Sequence, residues 1–191
     1  MVQRGFKTKA RNLALEVREE VGIGAHDPLD VYGLAELYGL KVIDLSRLSD
    51  FGCPSDSLDY FLNDGSASFS AAVVPVGSAH LIIVNDRHVP VRQRSSMAHE
   101  LAHVLLEHDF PGSLCTDSRC RAYDDEAEEQ AHLLGGELLI TTTEAHRLAV
   151  YGVSDRDVAQ KHGVSERFAK MRMDSSGGRL IARRAAAKRP V

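Results

Sequence analysis

The chain has 191 residues, of which 43% are hydrophobic, enough to bury one full core with a small helical appendage and too few for two large independent domains. A formal net charge of −4 and a sequence pI of about 6.1 give no overall bias toward a polyanion, which argues against nucleic acid as the main partner although the last dozen residues are locally basic. No run of about 18 apolar residues occurs, and MVQRGFKTKARNLALEV enters an amphipathic helical pattern without a signal-peptide core, so a soluble cytoplasmic protein with no membrane partner is expected.

In chain order, residues 8–21 read as a helix, with Leu13, Ala14, Val17 and Val21 at near-helical spacing. GIGAHDPLD stops it, 29–38 reads as a second short helix ended by Gly39, and LKVIDL reads as a strand. The stretch 50–67 is loop-like, with Gly, Pro, Ser, Asp and Asn interleaved. SAAVVPV and HLIIVN then give a hairpin signal in which Pro75, lacking an N–H, moves the first run to an edge. Such an edge could accept an extended peptide as an added strand. A helix from about Ser96 to Glu107 follows, with Ser95 or Ser96 as its N-cap.

The next stretch, PGSLCTDSRCRAYDD, carries two of the three cysteines, Cys115 and Cys120; Cys53 is the third. An odd number in a chain of this length argues against a disulfide framework. A Cys115–Cys120 pair is possible, whereas a structural zinc site here would lack its four ligands.

Residues 124–140 read as a helix with acids in its first turns, where the helix dipole favours them. Ala127, Ala131, Leu134 and Leu138 form its packed stripe, and Gly135 and Gly136 suggest a close helix approach. Thr141 to Thr143 with Glu144 give a capping signal for the next helix. SDRDVAQKHGVSERFAKMRM reads as two short helices around Gly163, with Ser165 as a cap. A single compact domain over 1–175 is expected, helical from about 142, with 176–191 as a basic, flexible tail.

The chemistry concentrates in SSMAHELAHVLLEH. Residues four apart on an α-helix are offset by only about 40°, so His99 and His103 project from one face and can share a zinc ion. Glu100 sits about 100° around from His99, placed to act as general base toward a metal-bound water. A catalytic zinc takes three protein ligands, so one must come from elsewhere. His108 is read as lying on the same helix, but five residues past His103 it points about 140° away and is set aside. The acidic helix supplies the third: Glu128, beside Ala127 and Ala131, is favoured, with Glu129 and Glu126 as alternatives. His132, four residues after Glu128, could steady Glu128 or a ligand histidine from outside the ligand set.

VRQRSSMAHELAHVLLEH and EEQAHLLGGELLI, preceded by LIIVND, resemble the ImmA/IrrE-like metallopeptidases. Their pattern is an Arg-rich lead-in, an Ala-His-Glu-Leu-(Gly/Ala)-His helix, and a second helix opening on a glutamate that serves as the third zinc ligand. The resemblance places that glutamate at Glu128. Four positions depart from it: His132 stands where the family often has Asn, Gly135 and Gly136 where it has other small residues, and Thr141 where it closes on Pro. The match extends more loosely over residues 8–175.

The resemblance implies an α+β fold: a mostly helical zincin-like core with a small antiparallel β-sheet beside the HExxH helix. It also implies a zinc-dependent endopeptidase that acts on a protein substrate, such as a helix-turn-helix transcriptional repressor, in stress responses or mobile elements. A separate sensor domain is not expected beside a core of this size. Tyr123, Tyr151 or a nearby histidine is the expected oxyanion donor. Two other readings stand beside this one. The first is a non-proteolytic zinc module that binds a regulator. The second is DNA binding through 154–173, with Lys161, Arg167, Lys170 and Arg172 as contacts.

Overall fold

The computed structural model describes residues 3–63, 68–77, 79–109, 115–116, 119–120 and 125–187. Over these the protein is mostly helical with a small three-stranded mixed sheet. The chain divides into two compact units, one covering Asp30–Gly135 and one covering Gln3–Leu29 and Gly136–Val191. Among the described residues no helix is long and apolar enough to cross a membrane.

In the first unit, helix α2 (Val31–Leu37) is capped by the Asp30 carboxylate, which accepts from the Tyr32 N–H, and it buries Val31, Leu34 and Ala35. Gly39, at φ 67°, makes the turn into strand β1 (Lys41–Asp44), because only glycine takes that backbone without strain. Strands β2 (Ala71–Val76) and β3 (Ala79–Val84) form the expected hairpin, and the sheet order is β1-β3-β2. The sheet is mixed rather than antiparallel, because β1 pairs parallel to β3. The long connection that parallel pairing needs contains a 3-10 helix (Leu45–Phe51) and helix α3 (Ser55–Leu62), the latter inside the 50–67 stretch whose composition reads as loop. Helix α3 fully buries only Leu58, and its Leu58, Phe61 and Leu62 make too short a run, among Ser, Asp and Asn, to stand out as a helix.

Strand β2 has Pro75 in a position that costs nothing. The Asn85 N–H donates to the Ser70 carbonyl at 2.9 Å, whereas the Val73 N–H donates to Glu100 Oε2 at 2.9 Å. Alternation along the strand therefore turns residues 70, 72 and 74 toward β3 and residues 71, 73 and 75 to the open side. Pro75 loses no ladder bond there, as an edge proline should not.

Helix α4 (Pro90–Leu105) begins six residues before the expected start at Ser96. Proline at the first position gives up an N–H that would be unpaired anyway. The N-cap is Val89 with no side-chain cap, and Ser95 Oγ instead donates to the Val91 carbonyl. The lead-in is tied by Gln93, whose Nε2 donates to the carbonyls of His88 (2.6 Å) and Asp86 (3.2 Å), and by Arg92, which donates to Ser70 Oγ (2.9 Å). Met97, Ala98, Leu101 and Ala102 are buried on α4. Strands β4 (Cys115–Thr116) and β5 (Arg119–Cys120) pair antiparallel with Cys115 opposite Cys120 in the backbone register; a bond between the two thiols concerns side chains outside the described ones. Helix α5 (Asp125–Leu139) follows.

The second unit holds α1 (Phe6–Glu20), α6 (Thr142–Val150), α7 (Asp155–His162), α8 (Glu166–Ser175) and α9 (Gly178–Ala187). The hydroxyls of Thr141, Ser154 and Ser165 accept from the N–H groups of Glu144, Asp157 and Phe168, the N-cap pattern that their spacing predicts. Helix α9 occupies the stretch that composition marks as a basic tail. It lies so close to α6 that a Cβ on Gly178 would meet the Ala145 carbonyl oxygen at 2.9 Å.

Buried charge organises this unit. Arg18, 1% exposed, donates to the carbonyls of Gly24, Asp27 and Leu138. Arg172 donates to the Ile140 carbonyl and pairs with Glu137 at 2.8 Å, and Glu137 also accepts from the Thr142 N–H and hydroxyl. Glu144 is fully buried, with Arg147 Nε at 2.7 Å and Lys161 Nζ at 2.6 Å. Burial alone would raise its carboxyl, but hydrogen bonds from Arg147 and Lys161 and their charges hold it down at about 2.

Beside that cluster, burial pushes His162 down to about 4, with the Lys161 charge adding to the effect and Glu144 opposing it. A folded-state value below the unfolded one means stability that is complete above pH 6.5 and is lost as pH falls toward 4. The full loss is up to about 3 kcal/mol. Glu144 contributes in a lower window, from pH 4.5 down to about 2. Urea unfolding at pH 7.5 and pH 5 should therefore show a smaller drop for His162→Leu than for the wild type. An equal drop in both proteins would remove His162 from the acid response.

Candidate metal centre

Helices α4 and α5 approach within the first unit at a glycine. A Cβ built on Gly135 would meet the Ala98 carbonyl oxygen at 3.0 Å and the His99 Cα at 3.3 Å. Both are helix backbone atoms with little freedom to yield, so the absent side chain is what lets α5 lie against the turn that carries His99. Gly135→Ala would gain up to about 1 kcal/mol of helix propensity, yet forcing the helices apart costs about 1–3 kcal/mol. Net destabilisation with weaker metal uptake is the expected result, read by urea unfolding and chelator competition. A stabilised variant with unchanged metal uptake would contradict it.

The approach brings together the three side chains singled out in the sequence. His99 Nε2 lies 3.1 Å from His103 Nε2 and 3.1 Å from Glu128 Oε2, and His103 Nε2 lies 3.5 Å from Glu128 Oε1. These groups form a set that could hold a metal ion. Zinc–ligand bonds of about 2.0–2.1 Å at tetrahedral angles separate donor atoms by about 3.3 Å, so two imidazoles and a carboxylate at these spacings fit a His-His-Glu zinc set. His103 is buried, while His99 and Glu128 are about a quarter exposed, which leaves one side of the trio open.

Glu100 is buried at 6% exposure. Its Oε2 accepts the Val73 N–H, so the edge strand orients the carboxylate. His132 is exposed on α5. Of the tyrosines considered, Tyr123 lies outside the described residues. Tyr151 belongs to the second unit, where it is 73% exposed with the Arg147 guanidinium over its ring.

The residue that sequence reasoning set aside is His108. Helix α4 ends at Leu105, and Glu107 takes a left-handed φ of 54°. The N–H groups of Glu107 and His108 then donate to the carbonyls of Val104 (3.0 Å) and His103 (3.1 Å), the paired bonds of a Schellman turn. This turn folds the chain back and sets His108 Nδ1 2.9 Å from His103 Nδ1.

The sequence model of one protein family, the IrrE N-terminal-like domain of peptidase M78, matches residues 55–174. That span includes β2, β3, α4 and α5. No curated protein matches the chain.

Proposed function

Because the chain belongs to the IrrE N-terminal-like domain family of metallopeptidase-like proteins, we propose that it is a zinc-dependent cytoplasmic endopeptidase in which His99, His103 and Glu128 hold the ion and Glu100 is the general base. The observation that carries this reading is the convergence of the three donor groups beside an oriented Glu100. When bound, zinc supplies Lewis-acid polarisation of the scissile carbonyl and makes a water more acidic. Glu100, oriented by the Val73 N–H, takes the proton and passes it to the leaving amine.

Membership of a peptidase family implies a protein substrate. The resemblance to ImmA/IrrE-like enzymes makes a helix-turn-helix repressor the proposed target. An extended segment laid along β2 would find few donors: the Val73 N–H is taken by Glu100 and Pro75 has none. The strand would hold such a segment mainly through its carbonyl oxygens, accepting the peptide's own N–H groups.

Two observations weigh on the other readings. A non-proteolytic zinc module would have no need of Glu100, which is retained and oriented. DNA binding through 154–173 loses two of its four cations, since Lys161 is bonded to Glu144 and the His26 carbonyl, and Arg172 to Glu137 and the Ile140 carbonyl. Digestion of a peptide library by zinc-loaded protein, with mass spectrometry of the fragments, tests the proposal. Cleavage that a chelator stops supports it; protein that holds zinc and cleaves nothing would favour the non-proteolytic module.

A further inference from the structure

We infer that His108, held by Gln130 and through it by Glu126, is a positioning residue that fixes the tautomer and ring plane of His103. This rests on the proposed metal centre, and the geometry sets the direction of every bond in the line. His103 turns Nε2 toward His99 and Glu128, so Nε2 is its metal-facing atom and Nδ1 carries the proton. That N–H donates to His108 Nδ1 at 2.9 Å. His108 Nδ1, as acceptor, leaves the ring proton on Nε2, which donates to Gln130 Oε1 at 3.2 Å. The Gln130 amide then donates from Nε2 to Glu126 Oε1 at 3.2 Å. The line runs from a buried imidazole to a carboxylate, and each member has one role that fits.

A metal-bound histidine generally gives its other ring N–H to such a partner, which holds the ring and raises its basicity. Here the partner is brought in by local strain. Glu107 at φ 54° is a conformation that costs a non-glycine residue free energy and persists where the surroundings enforce it. The Schellman turn and the His103–His108 bond together do so. Glu126 and Gln130 sit four apart on α5 and share a face with each other, two residues before and two after Glu128 in the chain. The helix that supplies the carboxylate of the trio thus also anchors the partner of His103.

The test is zinc affinity, measured by competition with a chromophoric chelator, together with the visible spectrum of the cobalt-substituted protein. His108→Ala is expected to bind zinc about 10–100-fold more weakly with an altered cobalt spectrum. His108→Asn should recover most of the affinity, because its Oδ1 can accept the same His103 N–H. Adding Gln130→Met to His108→Ala should cost nothing further, since Gln130 acts only through His108. Zinc affinity unchanged in His108→Ala, or Ala and Asn variants equally weak, would overturn the inference. If His108→Ala does not fold, Gln130→Met alone decides: weaker zinc binding supports the line and unchanged binding overturns it. A wild type that takes up no zinc would instead overturn the metal centre itself, and the positioning role with it.

Discussion

Glu100→Gln is expected to abolish most peptide-bond hydrolysis, by about 10²–10⁴-fold, while zinc uptake and fold are kept. Glutamine has nearly the same shape, and its carbonyl oxygen can still accept the Val73 N–H that Glu100 Oε2 accepts at 2.9 Å. The amide cannot take a proton. Initial rates on a cleaved peptide, with zinc content measured on the same samples, check both halves. A variant that keeps its zinc and its rate would remove Glu100 from the chemistry.

The second large effect is expected at Glu128. It supplies the one carboxylate of the trio, and Glu128→Ala leaves two imidazoles where zinc takes three protein ligands. Zinc affinity should fall by more than the 10–100-fold typical of losing an outer partner, and hydrolysis should fall with it. Its side chain is about a quarter exposed, so the fold should survive. Glu129→Ala is the control and should leave both properties intact. If Glu129→Ala removed zinc and Glu128→Ala did not, the third ligand would be reassigned.

What was legible in the sequence and what was not divides along physical lines. His99 and His103 could be read because the four-residue spacing of a helix is the geometry of the pair. Glu128 could be favoured because its place beside Ala127 and Ala131, the latter fully buried, predicts which face of α5 turns inward. Gly135 announced a close approach, which proves to be against Ala98 and His99.

His108 could not be found this way. Its position depends on a left-handed Glu107, and glutamate at that position gives no signal, as glycine would. The parallel placement of β1 is a long-range pairing that no local pattern encodes. The early start of α4 was hidden because a proline usually read as a breaker serves as its first residue. Glu144, Arg18 and Arg172 resemble solvated charges in sequence. Only the tertiary structure shows each one buried with its partners.

The central claim is a zinc centre built from His99, His103 and Glu128, and elemental analysis of protein purified without added metal tests it most directly. The account predicts close to one zinc per chain in the wild type and in Glu100→Gln, with marked loss in His99→Ala and Glu128→Ala. Wild-type protein that carries no zinc, and takes up none when zinc is supplied, would contradict it.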